Sequence, residues 1–500
     1  MASNQGARSG WSMPDTFGGG RRPKSRSTIS GYLASRFSTL KPPMDKVINP
    51  ITAMKMLNRE QWTFFLRDLQ CAWFGWILDS FDFFTVSLTL TPLANYFDKS
   101  NSEITWGIAL VLMLRPVGSV IFGVWSDRWG RKWPFVLNCL LFIVLELGTG
   151  FCKTYNQFLA ARALFGIAMG GLYGNAAATA LEDCPDAARG IMSGLYQGGY
   201  PLGYLLATAF ARALVNTTRH GWRPLFWFSA GPPVLLIIWR LCLPETRAFR
   251  ERQLLRRSAP AAKTNFLDQA GKSVKNYWLT LIYMIVLMAG FTYMSHGSQD
   301  LYPTLLTDQF EFSENQVTIT QVVGNLGGFI GAVCVGNLSE IFGRRLTIIA
   351  SCLLAGALLY PYTFVSTPAI TAVAFFVQFA TQGAFGVIPS HLLELSPPEF
   401  RSLVVGTAYQ LGSLASSASA TIQSSIGEKH FPLSPGPNGK KRYNYGIVIC
   451  AVLGAAIVLV IVTVFLGPEK KGKQFSTATR LEEPEQSPKS ESMLDQKEAV

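Results

Sequence analysis

Charged residues are scarce in this sequence, and their scarcity excludes most classes of soluble protein. They make up 15% of the 500 residues, whereas hydrophobic residues make up 49%. A soluble domain of ordinary composition carries about 25% charged residues. Windows of roughly 20 mostly apolar residues, enough for a helix to cross about 30 Å of hydrocarbon, recur from residue 70 to residue 466. The sequence therefore predicts a multi-pass α-helical membrane protein, with the lipid bilayer as its partner.

Sequence signatures of a cofactor or of covalent catalysis are also missing. The eight cysteines are scattered in or beside apolar runs, without the spacing of a metal site or a disulfide framework. The sequence has no nucleotide-binding loop and no nucleophile triad. The excess of Lys and Arg, 44 against 31 acidic residues, lies mainly in the N-terminal tail and in loops, so it indicates membrane topology and not nucleic-acid binding. We therefore expect neither an enzyme nor a resident metal or cofactor.

Twelve apolar segments are predicted to span the membrane, which indicates an all-α fold of two six-helix halves. The longest polar interruption, residues 244–276, is predicted to be a cytosolic linker between residues 70–243 and residues 277–466. With both termini in the cytosol, the larger groups of Lys and Arg also face the cytosol, as the positive-inside rule requires. The predicted spans are about 70–93, 104–125, 134–152, 156–180, 190–212, 224–243, 277–300, 316–337, 346–365, 368–391, 402–424 and 445–466.

Both ends of the chain are polar. Residues 1–69 carry Arg and Lys among Gly, Ser and Pro, and residues 467–500 are rich in Glu, Ser and Pro. Such compositions cannot bury enough apolar surface to fold alone. We expect two cytosolic tails, disordered over at least the first 60 residues, on a plasma-membrane protein. Regulatory proteins would bind at these tails.

A charged decapeptide occurs twice, once in each predicted half. Residues 123–132 and residues 336–345 share a Gly, an acid four residues later, a second Gly three residues after that, and then two bases. Such repetition indicates two halves of similar structure, the architecture in which transporters bind substrate between repeats near the bilayer midplane. We expect Asp127 with Arg131, and Glu340 with Arg344, to form cytosolic ion-pair latches that favour an outward-facing state.

Three ionisable residues lie inside the first two predicted spans, where a charge costs about 2.5–3.5 kcal/mol even on the lenient insertion scale. Asp79 and Asp82 lie on one helix turn, where either could bind a proton or pair with a neighbouring helix. Arg115 lies midway along its span, too far from either end to reach the headgroups easily. Because a guanidinium matches a carboxylate in two parallel hydrogen bonds, its partner could be a substrate acid or a buried aspartate such as Asp82.

The seventh predicted span ends in the most polar stretch of any apolar run, residues 293–304. Histidine changes its charge near neutral pH, and Asp300 follows His296 four residues later on the same helix face, so the pair could bind and release a proton. Ser298 and Gln299 supply neutral donors and acceptors for a small anion. The alternative is a helix end that emerges into outside water, with Asp300 simply solvated.

These residues resemble those of the major facilitator superfamily, and more narrowly those of the fungal carboxylate:proton symporters that import lactate and pyruvate. Residues 123–132 match the loop signature of the superfamily. The symporters carry the seventh-span motif Asn-x-x-Ser/Thr-His-x-Ser/Thr-Gln-Asp-x-x-x-Thr, in which Thr292 here replaces Asn, and an eleventh-span Gln-Leu-Gly-Asn element. The residues that match these two motifs are Ser295, His296, Ser298, Gln299, Asp300, Thr304 and Gln410, while Ser413 replaces the second Asn.

The resemblance implies a substrate site between the two halves. Arg115 falls where the family has the arginine that binds the substrate carboxylate. Ser413 begins a run of small residues that could equally serve close helix packing. The residues expected to bind substrate are Arg115, His296, Ser298, Gln299, Asp300, Gln410 and Ser413, and the candidates for the proton carrier are Asp82, His296 and Asp300.

The expected activity is import of a small carboxylate such as lactate or pyruvate, together with a proton, by alternating access. The proton cancels the charge of the anion, whose entry the membrane potential opposes by about 2.3 kcal/mol per 100 mV. Two alternatives stay open. The missing Asn residues favour a carrier for dicarboxylic, aromatic or sugar acids, because amides discriminate substrates through hydrogen bonds. The long tails suit a transporter-like nutrient sensor.

Overall fold

The structure, a computed structural model, is almost entirely helical over the residues that it describes. Those residues are 29–40, 59–99, 101–182, 184, 188–215, 217–246, 249–251, 253–254, 266–397, 400–434 and 442–472. Within them, one two-stranded antiparallel sheet pairs Pro432–Leu433 with Arg442–Tyr443, in the loop before the last helix. The chain is therefore all-α apart from this short hairpin.

A helical segment lies at each of the twelve predicted positions, and these segments are called spans 1 to 12. Spans 1–6 form the first half and spans 7–12 the second half. Several spans consist of two helices separated by one or two residues. The helices are, in order, Arg59–Leu88 with Leu90–Phe97, Asn101–Trp129, Lys132–Phe151, Tyr155–Gly170 with Leu172–Leu181, Arg189–Leu214, Arg223–Ser229 with Pro232–Cys242, Phe266–Gln299, Glu314–Phe342, Arg344–Ala357 with Leu359–Phe364, Ile370–Gly386 with Ile388–Leu395, Arg401–Ser416 with Ser419–His430, and Tyr445–Leu466.

Eight of the described spans are long and apolar enough to cross a membrane by length and composition alone. They are spans 2, 3, 4, 6, 7, 8, 10 and 12. The other four hold more polar residues or glycines that face neighbouring helices, among them buried Asp79 in span 1 and buried Gln197 in span 5. The observed arrangement agrees with the twelve predicted spans.

Two helices begin well before the predicted apolar limits. Span 1 begins at Arg59 and span 7 at Phe266. An apolar run marks the part of a helix that lies in hydrocarbon, whereas backbone hydrogen bonding continues through polar residues of good helix propensity. Sequence periodicity therefore located these helices correctly but placed their first residues too late.

The prediction of a disordered N-terminal tail is wrong for Ile29–Ser38, which forms a helix. The Tyr32 hydroxyl donates a hydrogen bond to the Leu466 carbonyl at 2.9 Å, and the Phe37 ring packs edge-on against Phe465 at 4.7 Å between centroids. Arg345 donates to Thr39 Oγ1 at 3.2 Å. Two aromatic anchors thus fasten this short helix to span 12, and Arg345 of span 9 fastens the residue that follows it. The predicted C-terminal tail beyond residue 472 lies outside the described residues.

The two decapeptides have the same backbone conformation at their second glycine. Gly130 has φ of 109° and Gly343 has φ of 86°, a region that disfavours residues with a Cβ. Each glycine ends one helix and starts the next, and Glu245 accepts a hydrogen bond from the Arg131 amide at 2.9 Å. Glu469 accepts from the Arg345 amide at 3.0 Å in the second half. The sequence repeat is therefore a structural repeat, and the membrane side that carries it is called the motif side.

Small residues bring the spans into backbone contact around Arg115. A Cβ added to Gly170 of span 4 would lie 1.9 Å from the Arg115 carbonyl oxygen, so any larger residue there would force the two helices apart. Span 2 also meets span 11 of the other half, because a Cβ on Gly123 would lie 2.8 Å from Leu403 Cα. Spans 5 and 8 form the second extensive contact between the halves.

Candidate functional site

Arg115 is a buried cation whose direct contacts are neutral. The residue is 3% exposed, its Nη2 lies 2.6 Å from Met169 Sδ, and its guanidinium carbon lies 4.9 Å from the centroid of the Phe83 ring. Its Nε donates to no described residue. The predicted alternative of an ion pair with Asp82 is not found, since neither oxygen of Asp82 accepts a hydrogen bond from a described residue. A buried cation without a carboxylate partner can bind an anion strongly.

Arg115 faces a cavity between the two halves. The space between its lining atoms, part of it open to the exterior, is about 300 Å³. Its walls combine one cation, one histidine and several neutral hydrogen-bonding groups. The lining residues are Arg115, Gln197 and Tyr200 from the first half, and Thr292, Ser295, His296, Gln382, Phe385, Tyr409 and Ser413 from the second half.

His296 and Asp300 form a close pair on span 7. His296 Nδ1 lies 3.1 Å from Asp300 Oδ2 and 3.2 Å from Oδ1, and their side chains are 10% and 24% exposed. The Phe83 ring, which also contacts Arg115, lies 6.4 Å from the imidazole ring between centroids. The histidine and the arginine therefore face one cavity across a shared phenyl ring. The alternative of a helix end in outside water, with Asp300 solvated, requires the pair to lie at the end of the helix. The pair does lie there, yet it is largely buried.

The structure does not bring the whole seventh-span motif to the Arg115 cavity. Ser298 and Gln299 line a second cavity of about 220 Å³ inside the second half. Gln299 Nε2 donates to Gln378 Oε1 at 2.9 Å, and Gln378 Nε2 donates to Ser298 Oγ at 3.2 Å. Gln410 is buried but is not among the residues that line either of these two cavities. Of the neutral candidates, Ser413 alone lines the Arg115 cavity, and its hydroxyl donates to the Tyr409 carbonyl at 3.1 Å.

Several cavity residues had no sequence signal strong enough to single them out. Tyr409 directly precedes Gln410, and Gln382 is one of two glutamines in the tenth predicted span. Gln382 Nε2 donates to Ser295 Oγ at 3.0 Å. Thr292, which replaces the motif Asn, donates to the Gly412 carbonyl at 2.9 Å and so joins spans 7 and 11. To identify these residues, one must know which face of each apolar helix turns toward the cavity, and the sequence does not give this.

A layer of aromatic rings separates the cavity from the motif side. The Tyr173 and Tyr409 rings stack at 3.7 Å between centroids, and Trp76 lies 4.9 Å from Tyr173 and 5.8 Å from Tyr409. Tyr409 lies eight residues into span 11, or about 12 Å along the helix from its motif-side end. The rings therefore close the route from the cavity to this side.

Asp82 lies behind the cavity, near the charged pair formed by Glu146 and Arg162. Arg162 Nη1 donates to Glu146 Oε1 at 2.8 Å, and both side chains are buried. Asp82 interacts electrostatically with Glu146, Arg162 and Asp79. Arg115, in contrast, interacts electrostatically with Asp79. Asp79 is thus the carboxylate of span 1 that is electrostatically coupled to the arginine, and Asp82 belongs to a buried cluster of the first half.

The predicted latch residues form two ionic clusters on the motif side. Arg131 pairs with Asp127 at 2.6 Å and with Glu182 at 2.9 Å. Arg344 pairs with Glu340 at 2.6 Å and with Glu394 at 3.0 Å. The clusters are buried and have the same composition in both halves, as their common sequence motif predicts.

Both clusters are connected to the opposite half. Asp127 accepts hydrogen bonds from the amides of Leu403 at 2.8 Å and Ser402 at 3.3 Å, at the first turn of span 11. A carboxylate at a helix N-terminus is stabilised by the free amides and the helix dipole. In the second cluster, Arg189 of span 5 lies 3.4 Å from Glu394. The motif side is therefore closed by contacts between the halves.

Replacing Asp127 with Asn should open the motif side. The amide side chain loses the charge and one acceptor facing span 11, which we expect to shift the open-to-closed ratio by about 1–3 kcal/mol, or about 5–150-fold. Spin labels at exposed Trp129 and Phe342 would report a larger share of long distances. The exposed Glu314→Gln serves as control at the other end of span 8. An unchanged distance distribution in Asp127→Asn would contradict the latch.

The comparisons with known proteins agree with this architecture. Residues 70–481 match the family described as sugar (and other) transporter. The chain is 37% identical over 472 residues to the carboxylic acid transporter protein homolog of Saccharomyces cerevisiae, covering 91% of this chain and 76% of that protein. It is 26% identical over 365 residues to the cis,cis-muconate transport protein of Acinetobacter baylyi, covering 70% of this chain and 85% of that protein.

A solved structure shares the fold. The major facilitator superfamily proton:xylose symporter XylE, bound to 6-bromo-6-deoxy-D-glucose, aligns with a TM-score of 0.66 and covers 84% of this chain and 99% of its own. At 19% sequence identity the likeness concerns the fold alone. The predicted fold class, the major facilitator fold, is confirmed.

Proposed function

Because the chain belongs to the sugar (and other) transporter family of the major facilitator superfamily, we propose that it imports small carboxylates together with protons across the plasma membrane. The observation that carries this proposal is the position of Arg115. Its guanidinium is buried, lines a cavity between the halves and makes its direct contacts with the neutral side chains of Met169 and Phe83. A substrate carboxylate would supply the missing negative charge in a site where little water screens the interaction.

The rest of the cavity suits a small polar acid. Gln382, Thr292 and Tyr200 offer donors and acceptors around the arginine. Phe385 and Phe83 supply apolar surface for the carbon chain of the acid. Lactate, pyruvate and similar monocarboxylates have this combination of one carboxylate and a short, weakly polar tail.

The His296–Asp300 pair is the proposed proton site. The pair lies next to the cavity on span 7, and imidazole changes its charge near neutral pH. A proton held there adds positive charge beside the site and favours entry of the anion. Release of both to the cytosol leaves no net charge moved across the membrane, so the membrane potential does not oppose import. Asp82 remains a rival proton carrier, because its oxygens are buried and accept no hydrogen bond from described residues.

Alternating access would arise from rocking of the two halves. We place the motif side in the cytosol because the larger Lys and Arg groups lie there. In the closed form, Asp127 with Arg131 and Glu340 with Arg344 would hold the cytosolic side shut, with the Trp76–Tyr173–Tyr409 layer above them. Breaking these contacts would release the substrate inward.

A carrier for larger or doubly charged acids is the second candidate. Thr292 and Ser413 stand where the resembling symporters have Asn, so the cavity carries hydroxyls instead of amides at two places. A relative is named for cis,cis-muconate, a dicarboxylic acid. Among the described residues that line the cavity, Arg115 is the single arginine or lysine, which favours acids with one carboxylate at the binding end.

Uptake of a labelled acid tests the proposal. Cells that express the chain should accumulate labelled lactate or pyruvate and raise the external pH, and both effects should stop when a protonophore removes the proton gradient. Competition by a panel of monocarboxylates, dicarboxylates, aromatic acids and sugar acids would identify the substrate class. Signalling without accumulation of any acid in the panel would support a nutrient sensor and overturn the transport proposal.

Replacing His296 with Gln tests the proton site. We expect exchange of labelled for unlabelled carboxylate across the membrane to persist, because Arg115 remains. Accumulation of the acid against its concentration gradient should fall by about 10-fold or more, since the variant cannot bind the coupling proton. Asp82→Asn is the matched variant for the rival carrier. Full coupling in His296→Gln with loss of coupling in Asp82→Asn would move the proton site to span 1.

A further inference from the structure

A third and larger space, a crevice, opens between spans 2, 7 and 11 on the motif side of the molecule. It contains about 780 Å³ of space between its lining atoms and is open on one side. Val120 and Tyr277 at its mouth are 45% and 39% exposed. The lining residues are Val120, Tyr277, Thr280, Leu281, Met284, Leu395, Pro397, Phe400, Leu403, Val404 and Thr407.

The chemistry of the crevice excludes the transported acid. All the surface that its walls present is apolar, and its two threonines turn no oxygen toward the space. A carboxylate placed there would lose its hydration and gain no donor in exchange. Water would also bind poorly there, because a buried water molecule needs two or more polar partners. The space therefore suits hydrocarbon.

The crevice lies at a depth where the acyl chains of the lipid bilayer can reach it. Its walls run along span 7 from Tyr277 to Met284, about 10 Å into the membrane from the motif side. Helices inside a bilayer are held together by close packing and not by exclusion of water, so an unfilled crevice forfeits contacts that an acyl chain can make. A lipid chain has the width and flexibility to enter from the side.

Charges at the motif-side ends of the same spans select the headgroup. Arg128 lies eight residues beyond Val120 on span 2, about 12 Å further toward the membrane surface, and is exposed. Lys275 is exposed two residues before Tyr277 on span 7, beside the exposed Trp278. Basic residues at this depth attract anionic headgroups, and Trp and Tyr favour the interface.

One residue of the crevice wall also takes part in the contact that closes the motif side between the two halves. Leu403 lines the crevice, while its amide donates to Asp127 and its backbone packs on Gly123. We propose that an acyl chain of an anionic phospholipid from the motif-side leaflet binds in this crevice and stabilises the closed contact between spans 2 and 11. A ligand that binds one conformation better shifts the equilibrium toward it.

Photocrosslinking locates the lipid. The full-length purified protein is incubated with phosphatidylglycerol that carries a diazirine on one acyl chain, and crosslinked peptides are mapped by mass spectrometry. Crosslinks should concentrate on residues 277–284 and 400–407, and unlabelled phosphatidylglycerol should compete at least 5-fold better than phosphatidylcholine. Crosslinks spread evenly over the lipid-facing surface, including exposed Leu235 of span 6, would overturn the proposal.

Filling the crevice separates lipid binding from the proposed transport activity. Phosphatidylglycerol should raise the melting temperature of the unmodified chain. Leu281→Trp should occupy the space and abolish this effect. Leu235→Trp, on another lipid-facing surface, is the matched control and should keep the lipid response. If Leu281→Trp does not fold, Val404→Phe takes its place. A full lipid response in the filled variants would refute the site, whereas the uptake of acids tests the transport proposal independently.

Discussion

Arg115→Gln is expected to reduce uptake of the labelled carboxylate by about 100-fold or more while the protein remains folded. The change removes the single arginine or lysine among the described residues of the cavity wall, and loss of a desolvated charge pair costs about 2–5 kcal/mol. Arg115→Lys keeps the charge but loses the planar fork, so an intermediate loss of about 10-fold is expected. Initial uptake rates at several acid concentrations would measure both effects.

The stability of the Arg115 variants distinguishes a binding role from a structural one. Arg115 forms no direct ion pair with a described carboxylate, and only its longer-range interaction with Asp79 is lost, so replacing it with neutral Gln should change the melting temperature little. Arg212→Gln, a change at an exposed arginine of span 5 that bonds Asn315 at 2.9 Å, is the matched control for transport. Normal uptake by Arg115→Gln, or its failure to fold, would rule out the proposed carboxylate site.

Arg162→Met is expected to destabilise the first half by about 3–5 kcal/mol, because it leaves Glu146 buried without its partner. The arginine also lies 4.3 Å above the Phe165 ring, a contact that Met keeps in part. Thermal unfolding in detergent, followed by size-exclusion chromatography of the heated protein, would measure the loss. Arg162→Lys should lose less, since it keeps the charge.

A double variant tests the reason for that loss. Arg162→Met with Glu146→Gln removes both charges and should recover much of the stability of the unmodified chain. Arg212→Gln again controls for loss of an arginine on the surface. If the double variant were no more stable than Arg162→Met alone, the unpaired carboxylate would not be the cause.

The sequence predicted the fold well because membrane helices obey a simple constraint. Every backbone polar group in hydrocarbon must be paired within its own segment, so apolar runs of sufficient length must form helices. The repeated Gly and charge pattern also predicted the equivalent loops, since only glycine fits the left-handed conformations found at Gly130 and Gly343. Helix formation in an apolar run and the glycine turn both depend on residues close together in the sequence, so the sequence alone predicts them.

The candidate site was harder to predict because it depends on how the helices rotate against each other. Arg115 was identified by its charge alone, since any charge in an apolar run is unusual. By contrast, Ser298 and Gln299 face a cavity away from Arg115, although they lie in the same motif as His296. Asp82 was proposed beside Arg115 but lies near Glu146. Sequence spacing gives the relative angles of residues on one helix but not the direction of the neighbouring helices.

The docked N-terminal helix affects how motion of this protein can be observed. Ile29–Ser38 is attached through Tyr32 and Phe37 to span 12, although the chain continues from it into span 1. Fluorophores placed on this helix and at the end of span 12 would therefore both follow the second half. Energy transfer between them would stay nearly constant while the halves rock, so reporters of the transport cycle belong on the loops of spans 2 and 8.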